Sequence, residues 1–143
     1  MRISSVLAHK GSAVATVRTD ATVADAVGVL SRLDIGALVV SDDGRRIDGI
    51  VSERDVVRRL SAAASSPLHE TVASIMSSDV HTCSPEDDTE QLMSTMTNRR
   101  IRHVPVVEAG ELQGIVSIGD VVKAKIEELE RHRKELEDYI TAR

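Results

Sequence analysis

The sequence has no phenylalanine, no tryptophan and a single tyrosine, Tyr139, among 143 residues. Grooves that hold single-stranded nucleic acid stack bases on aromatic rings inside a positive field. This chain offers neither, because 18 basic residues stand against 23 acidic ones for a net charge of −5. Nucleic acid is therefore not an expected partner. One cysteine, Cys83, cannot close an intramolecular disulfide, so nothing calls for an oxidising compartment and the cytoplasm is the expected location. Residues 1–17 lack the apolar core of a signal peptide, and no stretch approaches the ~18 apolar residues of a membrane span. A soluble protein with no membrane partner is expected.

What is present is an apolar fraction of 41%, drawn largely from Val, Ala, Leu and Ile. The length allows one compact domain or two very small ones and is too short for a multidomain enzyme. An internal repeat decides how the chain is divided. Residues 35–58 read IGALVVSDDGRRIDGIVSERDVVR and residues 101–123 read IRHVPVVEAGELQGIVSIGDVVK. With one residue deleted in the second turn, Ile35 meets Ile101, Val40 meets Val106, and the GIVS of Gly49–Ser52 meets that of Gly114–Ser117. Asp55–Val57 then meets Asp120–Val122.

Each copy follows the same order. A polar turn (19–22, 84–89) precedes an amphipathic helix, with Asp20 or Thr22 as cap in the first copy and Asp88 in the second. A short apolar strand follows (ALVV, VPVV), then a turn carrying Gly44 or Gly110, a second strand (IDGIVS, LQGIVS) and a second helix opened by Asp55 or Asp120. A β-prone stretch precedes each first helix, AVATV at 13–17 and DVHTC at 79–83. The unit is β-α-β-β-α, and its three-stranded sheet leaves an apolar face that it cannot cover alone. Two units paired by a pseudo-two-fold axis would cover those faces. The predicted boundaries are 1–66 for the first repeat, 67–123 for the second and 124–143 for a C-terminal helix. Short helices are expected around 71–76 and, as its counterpart, 2–7.

The paired GIVSxxDVV blocks and the VPVV strand at 104–107 resemble a tandem CBS domain pair, the Bateman module, over roughly residues 1–123. The resemblance implies an α/β fold of two such repeats and a ligand site in the cleft between them. In such pairs the Ser and Asp of the motif contact the ribose-phosphate part of an adenine nucleotide, which implies that role for Ser52 and Asp55 and for Ser117 and Asp120. A hydroxyl beside free helix amides tolerates an anion, and a carboxylate can accept from two vicinal hydroxyls. A Ser or Asp at a strand-to-helix junction is also a routine cap, which explains either residue without a ligand.

The copies differ in charge. Arg102 and His103 stand where the first copy has Gly36 and Ala37, and the resemblance implies that they reach phosphates in the central cleft. Arg99 and Arg100 read as a solvated helix end. Arg54, where the second copy has Gly119, can add a phosphate contact at the first site, which is expected to be the stronger binder. The base would lie between Ile50, Ile115, Ile35 and Ile101, with backbone from 13–16 and 80–83.

The last 21 residues contain no Gly or Pro. Apolar residues at Val122, Ile126, Leu129, Leu136 and Ile140 alternate by four and three, broken at Arg133, as in a short coiled coil. Glu127–Arg131, Glu130–Lys134 and Glu128–His132 can add i,i+4 support. This stripe either packs on its own domain or reinforces a homodimer. His81 and Cys83 would share a strand face, but no orienting carboxylate accompanies them, and the five histidines show no zinc spacing. The expected function is non-enzymatic: a regulatory module that senses AMP, ATP or NADH, without a catalytic cofactor and with a possible protein target. The alternative is a dimerising interaction module with vestigial nucleotide sites.

Overall fold

A computed structural model describes residues 1–11 and 13–142. Helix α1 (Ile3–Lys10) opens the chain, followed by β1 (Thr16–Val17), α2 (Val23–Leu33), β2 (Ala37–Val40), β3 (Gly49–Ser52) and α3 (Glu53–Ala62). A 3₁₀ turn at Pro67–His69 and a short helix α4 (Val72–Ile75) lead to α5 (Thr89–Arg99), β4 (His103–Glu108), β5 (Glu111–Ser117) and α6 (Ile118–Thr141). The two repeats thus have the predicted mixed α/β grammar.

The strands before each first helix are shorter than predicted. In the first repeat only Thr16 and Val17 pair with β2, in parallel, while β2 and β3 pair antiparallel. In the second, β4 and β5 are antiparallel, and of the stretch 79–83 only Cys83 bridges to Val106. Asp79, Val80 and His81 line the cleft described below and take no part in a strand.

Local chemistry sets the helix ends. Thr22 Oγ1 accepts from the Asp25 amide and Asp25 Oδ2 accepts from the Thr22 amide, both at 3.1 Å. Asp20, the other candidate cap, is held by Arg18 at 3.1 Å. Asp88 caps α5 through the Glu90 amide, as predicted. Both helices stop in the same way. Asp34 (φ 53°) and Arg100 (φ 55°) take the left-handed conformation, and the amides of Ile35 and Ile101 reach back to Leu30 and Met96 oxygens at 3.1 and 3.0 Å. These reversals deliver the chain into β2 and β4.

Two hydrophobic cores form, and they cross the predicted boundaries. Val17, Ala26, Leu30, Leu38, Val40 and Val51 pack with Val72 of α4. Cys83, Leu92, Met96, Val104, Val106, Val116 and Val121 pack with Ile3 and Val6 of α1. The first ten residues therefore complete the second repeat, although they precede the first in sequence. The linker helix α4 completes the first. Backbone bonds fix both exchanges in matching places: Ile3 N to Asp87 O (2.9 Å) and Thr89 N to Met1 O (3.0 Å), against Val72 N to Ala21 O (2.7 Å) and Val23 N to Glu70 O (2.9 Å). All four residues of β2 are buried, so both faces of that strand are covered.

No break separates the second repeat from the tail, because α6 runs for 24 residues without interruption. Its apolar stripe is left largely uncovered by its own chain toward the C-terminus: exposure rises from 39% at Val122 to 68% at Ile140. The ion pairs that support it run through Lys125, to Glu90 and Glu128, and through Arg133, to Glu130 and Glu137. They are not the i,i+4 pairs predicted.

Candidate functional site

The strand-to-helix junctions fold as reciprocal caps. Ser52 is the N-cap of α3 and Asp55 its third residue, so the serine opens the helix and not the aspartate. Asp55 Oδ2 accepts from the Ser52 amide (2.8 Å) and hydroxyl (3.0 Å), while Ser52 Oγ accepts from the Asp55 amide at 3.3 Å. Ser117 and Asp120 repeat the arrangement at the head of α6, with bonds of 2.9 and 3.1 Å. The Glu53 amide donates to Gly36 O and the Ile118 amide to Arg102 O. Much of the expected anion nest is thus used by the protein itself.

Side chains of both repeats converge on one cleft of about 530 Å³. The first repeat contributes Ile50, Ser52, Arg54 and Asp55, and the second contributes Ile101, Arg102 and His103. Arg102 and His103 both line the cleft, although alternation along a strand required only one of them to do so. His103 lies against the first repeat, where a Cβ on Gly36 would sit 3.0 Å from its ring. The imidazole is half-buried. Burial, then the nearby Lys10 ammonium, pushes its pKa below the usual 6.5, with Arg102 adding to the effect and Asp120 and Glu53 opposing it.

Several predicted residues lie elsewhere. Ile115, Ser117 and Asp120 do not line this cleft, nor do Ile35 and the 13–16 backbone. Lys10 Nζ donates to Asp120 Oδ2 at 2.6 Å and to the Ile115 carbonyl at 2.7 Å, which covers the second motif from the N-terminal helix. Burial alone would raise the Asp120 pKa, but the bonds from Lys10 and Ser117 outweigh it and hold the carboxyl below its usual value.

Other lining residues went unassigned. Arg58 lies one helical turn beyond Arg54, a spacing that places both on one face of α3. Arg99 and Arg100, expected to be solvated, also border the cleft, as do Glu53, Asp79 and His81. Five arginines and two histidines therefore face three carboxylates, a lining suited to an anion. His81 does not act with Cys83: the chain from 79 to 82 is irregular, His81 turns to the cleft, and Cys83 sits in the second core. Burial, with a smaller effect from Asp87, pushes its thiol up to about 12, so it is no nucleophile at neutral pH. Among the described residues no group of three or more His, Cys, Asp or Glu is placed to hold a metal.

The CBS domain family model matches the chain twice, over residues 10–62 and 72–127. The mitochondrial CBS domain-containing protein CBSX3 of Arabidopsis thaliana is 38% identical over 143 residues, covering 94% of this chain and 68% of that protein. The crystal structure of the CBS-domain containing protein ATU1752 from Agrobacterium tumefaciens is 43% identical, with a TM-score of 0.84 over 87% of this chain and 99% of that one. The CBS domain pair of protein MJ0100, solved in complex with 5′-methylthioadenosine and S-adenosyl-L-methionine, is 20% identical and shares the fold at a TM-score of 0.77, over 90% of this chain and 98% of that one. With two family matches falling on the two halves of the internal repeat, the chain belongs to the CBS domain family as a tandem pair.

Proposed function

We propose that this chain is a non-enzymatic regulatory module that binds an adenine nucleotide, AMP, ATP or NADH, in the cleft between its repeats. The observation that carries the reading is convergence: Ser52, Arg54, Asp55, Arg102 and His103 come from both repeats and meet around one cavity. Asp55, with Oδ2 closing the cap, presents its other oxygen for a ribose hydroxyl, and the arginine cluster takes the phosphates. Ile50 and Ile101 offer the base an aliphatic surface. The complex of the MJ0100 domain pair with two adenosyl compounds supports the choice of an adenosine-containing ligand. Because the lining comes from both repeats, a ligand that satisfies it favours one relative setting of the two, and only that differential affinity can do regulatory work. Titration calorimetry of nucleotide-free protein with AMP, ATP and NADH tests the reading: saturable binding is expected, and no heat up to millimolar ligand refutes it.

The exposed stripe of α6 favours a second property, self-association. Val122, Ile126, Leu129, Leu136 and Ile140 are too exposed to be served within one chain, and a second copy would cover them as a homodimer. Sedimentation velocity at micromolar concentration should show a two-chain species; a monomer throughout contradicts it. A cytosolic location belongs to the same proposal, and among the described residues no helix is long and apolar enough to cross a membrane.

A further inference from the structure

The two pseudo-equivalent carboxylates differ in state. Asp55 is engaged by the cap that it closes with Ser52. Asp120 closes the same cap and also receives an ammonium, Lys10 Nζ, at 2.6 Å on the same oxygen. That ammonium donates at 2.7 Å to the carbonyl of Ile115, on the strand beside it. In the first repeat the position matching Ile115 is Ile50, whose amide and carbonyl pair with the Ser77 backbone, both at 2.9 Å.

The length of the short helix explains the difference. Helix α4 has four residues and ends at Ile75, and the chain then runs back along β3. Helix α1 has eight, so it extends about one further turn and ends on Lys10. Gly11, at φ 94°, stops it there. A lysine at a helix C-terminus is ordinary dipole placement, but that does not account for two short bonds to groups 105 and 110 residues away. The Lys10 and Asp120 side chains are only 32% and 26% exposed, so the pair is shielded more than a surface ion pair.

We propose that Lys10 is the resident occupant of the second site, taking on Asp120 the place of a ribose hydroxyl, so that the chain binds one nucleotide and not two. This rests on the nucleotide reading above. At Asp120 the Lys10 ammonium adds a charge-assisted bond on the oxygen that the cap already uses, so this carboxylate is neutralised and flanked by the lysine where a ribose hydroxyl would approach. A ligand entering there must break that bond and leave a partly buried ammonium short of an acceptor.

The test is binding stoichiometry in the full chain, with ATP and AMP as probes, for wild type, Lys10→Met, Lys10→Arg and Lys10→Met/Asp120→Ala. Methionine keeps the aliphatic stem and removes the cation; folding of each variant is verified by its circular-dichroism melt. Wild type and Lys10→Arg should bind one nucleotide per chain, Lys10→Met should bind two, and the double variant should return to one. Two nucleotides on wild type, or no added site in folded Lys10→Met, overturns the proposal. If wild type binds none, the reading of the first cleft fails by itself. Lys10→Met binding one nucleotide would then still support the lock, and binding none would overturn it.

Discussion

His103 is the residue whose chemistry the cleft most changes. In the folded chain its pKa lies below 6.5, because burial and then the Lys10 ammonium disfavour the imidazolium. The unfolded chain therefore takes up a proton near pH 6.5 that the folded chain accepts only at lower pH. The stability that comes from neutral His103 is fully present above pH 6.5 and is lost as pH falls from there through the folded value. A phosphate in the cleft reverses the preference, since an anion favours the charged ring. Binding should then draw in a proton, and affinity for ATP should rise severalfold between pH 7.5 and 6. Calorimetry in buffers of different ionisation enthalpy measures the proton directly. In His103→Gln the pH dependence should flatten, and an unchanged slope would place the phosphates away from this ring.

At the scale of elements, the glycine that begins each GIVS block decides how closely a short helix packs. Gly49 is buried, and a Cβ there would lie 2.6 Å from Met76 Sδ and 2.8 Å from the Ser77 carbonyl oxygen. At Gly114 the three atoms nearest the corresponding Cβ all belong to the Leu7 side chain, the first at 2.7 Å. A side chain can swing aside and a paired backbone oxygen cannot. Gly49→Ala should therefore cost ~1–3 kcal/mol in denaturant unfolding and Gly114→Ala clearly less, with Leu7→Ala easing the second but not the first. Equal losses at the two sites would contradict this account. The helices, their caps and the strands of the GIVS and VPVV blocks were legible in the sequence because period, polar turns and capping residues are local signals. The junction Ser and Asp could be read as cap or as ligand contacts, and in the fold they form the cap while Ser52 and Asp55 also face the cleft. The stretch 79–83 misled, because β-propensity says nothing of Asp79 and His81 being drawn to a cleft built by distant residues.

Across the whole molecule, the exchange of short helices was not legible. That α1 seals the second core depends on contacts between Ile3 and residues more than eighty positions away, and no local pattern encodes them. The same exchange delivers Lys10 to Asp120, so the asymmetry of the two sites also lay beyond sequence reasoning. The repeat did carry the fold class and the tandem arrangement, and it pointed to Ser52 and Asp55, which line the cleft, because duplicated motifs fold into duplicated junctions. The missing aromatics take on meaning at this scale: the cleft offers Ile50 and Ile101 and no Phe, Tyr or Trp ring, and under the proposed function a base would rest on them, with specificity left to ribose and phosphate contacts. The most direct measurement of that claim is calorimetric titration of nucleotide-free wild type and Asp55→Ala with ATP, side by side. The account predicts saturable binding by wild type and an affinity lower by ~1–3 kcal/mol in the variant, from loss of a hydrogen bond to a charged group. Equal affinity in the two proteins, or no binding by wild type, would contradict it.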